Sequence, residues 1–200
     1  MSENKHRDII DFPTYWRKEP LSKAEWELVN QLMRAHHASV FRQNVSTVVI
    51  ANTAFGSADY SKAIAAGLMT IGGIHAPLWA TMDLLNSENA VEWVEKIVAD
   101  NRRVPGWGNS FIKEKPDELW MGVDLCLKVS GINSRFIKNI EAITDKLHEL
   151  GKKIFPNPSA YTAAVALVLG IPPAMAPMLF VTGRLSGWSE LIHKQIGGVS

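Results

Sequence analysis

Cysteine is almost missing from these 200 residues: Cys126 stands alone. That excludes an internal disulfide framework and fits a reducing compartment. A charge excess is missing too. Lysine and arginine number 21 against 20 acidic residues, a balance that gives no reason to expect nucleic acid or an anionic membrane as partner. The opening stretch MSENKHRDIIDFPTYWRKEP has no apolar h-region, so no signal peptide is expected and the expected location is cytoplasmic. There is no P-loop, no GxGxxG after a strand, no HExxH and no cysteine–histidine metal spacing. His36 and His37 are adjacent and point to different sides of a helix. No metal site is therefore expected.

One run lacks charge altogether, from Ile154 to Gly183. Its length invites a membrane-spanning reading, but Pro172, Pro173 and Pro177 cut it into pieces too short to cross a bilayer. Two buried helices joined by a proline turn account for it.

What is present is a large core and helical spacing. Hydrophobic residues make up 46% of the chain, enough for a globular core. The length fits one domain over residues 21–200, with residues 1–20 as an arm that Phe12, Tyr15 and Trp16 partly order. Strand alternation is hard to find. Ser22 with Glu25 three residues on makes a capping box, flanked by the staple pair Leu21 and Trp26. Further helices are expected at about 45–54, 59–71, 74–85 and 87–101. Others follow from Pro116 to Gly131, over SRFIKNIEAITDKLHEL, over SAYTAAVALVL, and after Pro173. The expectation is an all-α protein of about nine helices. Trp79 and Trp188 are expected in the core and His193 on the surface.

The stretch RVPGWGNSFIKEKPD stands apart. Two glycines bracket a tryptophan, as where a backbone must approach a ligand closely. Four segments in order then resemble the citrate synthase family: NVSTVV (44–49), SADYSKAIAAGLMTIGGIHAP (57–77), VPGWGNSFIK (104–113) and FPNPSAYTAAVALVLGIPPAMAPMLFVTGRLSGWSELIHKQ (155–195). The resemblance covers about residues 40 to 195. It implies a truncated, multi-helical citrate synthase-like fold matching the C-terminal half of members about twice as long.

Residue by residue, the resemblance implies the following. His75 matches the histidine that polarises an acyl-CoA thioester. Asn109 stands where the family has the histidine that polarises the keto group of oxaloacetate. Ser159 stands where it has the aspartate that deprotonates the acetyl methyl group. Phe41 replaces an upstream substrate-binding histidine. Arg184 matches an arginine that binds a substrate carboxylate. The backbone of Val104, Pro105, Gly106, Trp107 and Gly108 matches the segment that receives the adenine of CoA. Lys113 takes the place of a basic residue near the CoA phosphates, and a second arginine after the loop is absent.

Claisen condensation needs a base for a weakly acidic carbon and donors for developing oxyanions. A serine hydroxyl needs its own adjacent base, and an asparagine donates but carries no proton or positive charge. Each residue also has a plainer reading. His75 is a core or capping residue, Ser159 the N-cap of its helix, Trp107 the filler of a surface hollow rather than an adenine platform. Arg184 pairs with a ligand carboxylate or with an acid or carbonyl of the chain.

Three functions follow. The first is a protein unable to do ordinary citrate synthesis that keeps an acyl-CoA or carboxylate site, or serves as an oligomer scaffold. The second is an enzyme of altered acyl-CoA chemistry (acyl transfer, carbon–carbon lyase or thioester hydrolysis) using His75 with Ser159. The third is a pure interaction module. No permanently bound cofactor is expected, and CoA or acyl-CoA is the ligand the resemblance implies. A homodimer or larger homo-oligomer is expected, with a separate chain supplying the missing half as the other arrangement.

Overall fold

Ser22 opens the first helix as its spacing predicts. Its hydroxyl accepts from the Glu25 amide at 3.2 Å, and the Glu25 carboxylate accepts from the Ser22 amide at 2.7 Å. Leu21 and Trp26 pack against the core beside this cap. The computed structural model describes residues 19–42, 44–72, 76–109, 115–129, 132 and 134–197. Almost all of the proposed N-terminal arm, residues 1–18, lies outside them.

From this start run α1 (Lys23–Ser39), α2 (Val45–Ser57), α3 (Tyr60–Met69), α4 (Leu78–Asn86) and α5 (Ala90–Ala99). A single 3₁₀ turn, Glu118–Trp120, leads into α6 (Met121–Val129), followed by α7 (Ser134–Glu149) and α8 (Pro158–Val168). A second 3₁₀ turn, Pro173–Met175, leads into α9 (Ala176–Gly197). The described residues thus hold nine α-helices and no strand, as expected. No described helix is long and apolar enough to cross a membrane.

The fourth helix begins later than its sequence suggests. Ala76 and Pro77 are not helical, because proline fixes its own φ and disfavours helix in the residue before it. The expected core position of Trp79 is also wrong: it is 57% exposed. Leu78, Thr81, Met82 and Leu85 form the inward stripe of α4. Trp79 lies one residue, about 100°, off that stripe. Trp188 is fully buried, as expected, and His193 is exposed.

Helix α8 is central. Every residue from Ser159 to Ala166 is buried, and α1, α4, α6, α7 and α9 all pack on it. A helix apolar on every side can only be stable inside. A smaller cluster joins α2 and α3 to the later half of α9 through Ile50, Ala54, Ala63, Trp188 and Ile192.

The crossing of α1 and α9 is unusually close. A Cβ on Gly183 would sit 2.6 Å from the His36 Cβ, and one on Gly187 2.9 Å from the His37 carbonyl oxygen. This closeness seals His36 inside, edge-on to Trp120 at 4.9 Å and tilted on Phe180 at 4.4 Å. His36 Nε2 lies 2.9 Å from Thr162 Oγ1. The Thr162 hydroxyl already donates to the Pro158 carbonyl at 2.7 Å. It therefore accepts from Nε2–H, which leaves Nδ1 as a bare, buried lone pair. Burial, and after it the nearby Arg184 charge, holds the imidazole pKa well below its usual value.

His36 is thus neutral when folded and titrates near 6.5 when unfolded. Below that pH only the unfolded chain takes up the proton, so stability is full above about 6.5 and falls as pH drops toward the depressed folded value. The expected slope is up to about 1.4 kcal/mol per pH unit from this one residue. Urea melts between pH 7 and 5 should show it, and His36→Leu should flatten the profile. An equally steep profile in that variant would assign the acid sensitivity elsewhere.

Candidate functional site

Two elements build the site: the glycine loop after α5, and the entry to α8. They are strapped together by backbone. Gly108 N donates to the Phe155 carbonyl and Asn157 N to the Gly106 carbonyl, each at 2.9 Å, with an isolated bridge between Trp107 and Pro156. Gly106 and Gly108 have φ of 86° and 85°, a left-handed region costly for other residues. A Cβ on Gly106 would also strike Thr81 Cγ2 at 2.6 Å.

Asn157 joins the two elements. Its Oδ1 accepts from the Ser159 amide at 2.8 Å and caps α8, while its Nδ2 donates to the Gly108 carbonyl at 3.0 Å. The N-cap is therefore Asn157 and not Ser159, which corrects the plainer sequence reading. Proline at N1 behind an N-cap asparagine was the available signal, present in the sequence as Asn157-Pro158. Ser159 sits inside the first turn, 3% exposed. Trp107 is 6% exposed, and its indole donates to Thr144 Oγ1 at 3.0 Å. The ring packs into the core rather than standing open as a platform.

Loop and helix entry face α9 across a cleft of about 380 Å³. Val104, Pro105, Gly106, Trp107, Gly108, Asn109, Ser159 and Arg184 all line it. Eight of the sequence-derived site residues thus converge on one space. His75 and Lys113 lie outside the described residues. Phe41, which replaces the family's upstream histidine, is not in the cleft; it is 45% exposed, with Lys194 Nζ 5.0 Å above its ring. Asn44, Ser46, Thr70, Arg103 and Asn157 complete the polar lining and were not singled out from sequence.

Arg184 is the charge at the bottom of this space, 7% exposed. Its Nη1 donates to Ser46 Oγ at 2.9 Å, and its Cζ sits 4.2 Å from the Phe180 ring centroid. Ser46 can accept because its own proton goes to Asn44 Oδ1 at 2.8 Å. That same oxygen caps α2 at the Thr47 amide, at 3.0 Å. Arg184 Nε is buried without a partner. Burial lowers the guanidinium pKa to about 10, so it stays charged at neutral pH. Among the described residues no carboxylate pairs with it and no aspartate, glutamate or histidine lines the cleft. Nor do three metal-ligating side chains converge anywhere among them. Among the described residues the cleft is cationic and rich in neutral donors, and no carboxylate or imidazole lines it.

A family model described as citrate synthase, C-terminal domain, matches residues 8–197. The chain is 24% identical over 180 residues to the peroxisomal citrate synthase 1 of Arabidopsis thaliana, covering 80% of this chain and 35% of that protein. It is 25% identical over 223 residues to the citrate synthase of Corynebacterium glutamicum, covering 98% of this chain and 47% of the relative. It therefore spans less than half the length of these relatives. Among solved structures, it is similar to a citryl-CoA lyase from Hydrogenobacter thermophilus, with a TM-score of 0.73, 20% identity, and coverage of 89% of this chain and 72% of that one. It is also similar to the Thermoplasma acidophilum citrate synthase in its ternary complex with carboxymethyl coenzyme A and oxaloacetate. There the TM-score is 0.72, at 20% identity, over 91% of this chain and 51% of that one.

Asn157→Ala should remove both the α8 cap and the tether on the glycine loop, at a cost of roughly 2 kcal/mol. Asn157→Asp keeps the capping oxygen and loses only the tether, so it should cost less. Denaturant titration measures both; equal loss in the two variants would mean that the cap contributes nothing.

Proposed function

This chain belongs to the citrate synthase family through that family's C-terminal domain, and we propose that its cleft binds a carboxylate anion beside an acyl-CoA-type ligand without carrying out ordinary citrate synthesis. The observation behind this reading is Arg184. A buried cation is costly unless paired, and here it has one hydroxyl, one aromatic face and an unpartnered Nε. A ligand carboxylate in the cleft supplies the missing counter-charge and accepts from the guanidinium. The glycine loop is the approach surface for the CoA moiety. By the family resemblance, His75 would face its thioester and Lys113 its phosphates. In the Thermoplasma neighbour, carboxymethyl coenzyme A and oxaloacetate are the bound pair, and a Methanothrix soehngenii ATP citrate lyase neighbour is in complex with citrate and coenzyme A.

Condensation fails in this reading because no described residue of the lining can take the methyl proton. Ser159 stands at the base position with no aspartate, glutamate or histidine in the described lining to activate it. Asn109 offers at most a neutral donor in place of a histidine. Losing one oxyanion donor costs about 10²–10³ in rate, and losing the base roughly 10²–10⁴ more.

Self-association is a second part of the proposal. Helices α2 and α3 leave Val48, Phe55, Leu68 and Met69 exposed, Phe55 by 70% and Met69 by 88%. Residues 43–82 carry little charge, so a second copy of the chain is the partner that suits them. Light scattering should report a mass above that of one chain, reduced by Phe55→Asp. A monodisperse monomer in the unmodified protein would end this part.

Calorimetric titration tests the cleft. Oxaloacetate, citrate and CoA are the probes, with Arg184→Met as the variant. Arg184→Met should abolish anion binding while leaving stability unchanged or raised by about 1–2 kcal/mol, because an apolar side chain replaces a buried charge. A variant that is strongly destabilised, in a chain that binds neither anion, would make Arg184 purely structural. Acetyl-CoA with oxaloacetate should give no measurable citrate, and clear turnover by the pure chain would overturn the non-catalytic reading.

A further inference from the structure

The close crossing of α1 and α9 also brings together a set of groups on its outer side. Ser186 stands two residues beyond Arg184, about 200° around α9, and is exposed. Its Oγ lies 2.9 Å from His37 Nδ1. Nε2 of the same ring lies 3.8 Å from Glu190 Oε2, and Lys194 Nζ donates to the other Glu190 oxygen at 2.6 Å. The crossing sets this reach. A Cβ on Gly187 would stand 2.9 Å from the His37 carbonyl oxygen, so a larger residue there would part the two helices.

The order of the groups fixes their roles. Glu190 remains ionised, since the hydrogen bond from Lys194 above all holds its carboxyl below the usual range. At 3.8 Å this charge favours the imidazole tautomer with its proton on Nε2. Nδ1 is then left to accept from the Ser186 hydroxyl. A serine, a base and a group that orients the base stand in line, which is the arrangement that activates a nucleophile. Ser159 has no such base in the described lining of the cleft. The side chains of His37 and Glu190 are 40% and 44% exposed, so a reagent in solution can reach them. The backbone amides around Ser186 are spent inside α9 and offer no oxyanion hole. The acyl donor must therefore bring a good leaving group of its own. Phe41, one turn along α1 and 5.5 Å from the His37 ring, gives that donor an apolar face.

We propose that Ser186 is a nucleophile, activated by His37 and oriented by Glu190, that is acylated by aryl esters. Ser186 Oγ bonds to the ester carbonyl carbon, and its proton passes to His37 Nδ1. The bond from that carbon to the aryl oxygen breaks. The phenol leaves with the electron pair and takes up the proton from His37, which returns to its starting tautomer. The site uses no residue that lines the Arg184 cleft, so its test stands apart from the reading of that cleft.

The experiment is incubation of the full chain with p-nitrophenyl acetate, acid quenching, and peptide mass mapping against time. An acetyl group should appear on Ser186 and be stripped by neutral hydroxylamine, as an ester is. Ser57 is the internal control, also exposed but with its hydroxyl donated to the Thr53 carbonyl at 2.6 Å, and it should stay unmodified. His37→Asn should slow acetylation of Ser186 by about 10²-fold or more. Glu190→Gln should slow it by about fivefold, with Glu190→Asp recovering part of the loss. No ester on Ser186, acetylation of Ser57 at the same rate, or an unchanged rate in His37→Asn would overturn the proposal. Circular dichroism of each variant separates loss of the fold from loss of the base.

Discussion

A guanidinium held inside an apolar helix constrains everything around it. Arg184 stays charged because burial brings its pKa down only to about 10, and a buried charge demands oriented neighbours. Ser46 can serve because Asn44 takes its proton. Asn44 in turn is the N-cap of α2. The position of α2 is thus coupled through two hydrogen bonds to the charge on α9. On the other side, Phe180 touches both Arg184 and His36. A second cation there would be repelled and desolvated together, so the histidine stays neutral. One charged site and one enforced neutral site are two aspects of the same packing.

The glycine loop depends on a complementary constraint, a backbone rather than a charge. Its carbonyls and amides bond to residues 155–157, and these lead directly into α8, the most buried helix. Because α8 contacts five other helices, the loop inherits the rigidity of the core without lying within it. Gly106 is the point of closest approach, against Thr81 of α4 and Ala160 of α8. The cleft is therefore bounded by groups that cannot shift independently, which favours a ligand site formed before the ligand arrives.

Local signals were the legible ones. The capping box at Ser22, proline and glycine punctuation, and the apolar stripe of each helix follow from chemistry within a few residues, and they locate the nine helices. The glycine–tryptophan–glycine spacing likewise announced a close backbone approach. Trp79 is large and apolar, but it lies one residue beside Leu78 and so off the inward stripe of α4. Asn157, two residues before Ser159, is the better capping acceptor and caps α8. Ser46 was not legible in the same way. Its role depends on a hydrogen bond to a residue 138 positions away, and no local pattern encodes that.

The composition of the cleft separates binding from chemistry. Anion recognition needs a fixed positive charge and donors, and these are present in Arg184, Arg103 and the asparagines. Carbon–carbon bond formation further needs a group that changes protonation during the reaction. A tuned carboxylate or imidazole does this near neutral pH, whereas a lone serine and an amide do not. The two demands draw on different atoms, so one can be lost while the other persists. On the proposed reading the described residues supply the cation and donors that an anion needs, and no carboxylate or imidazole is among those that line the cleft.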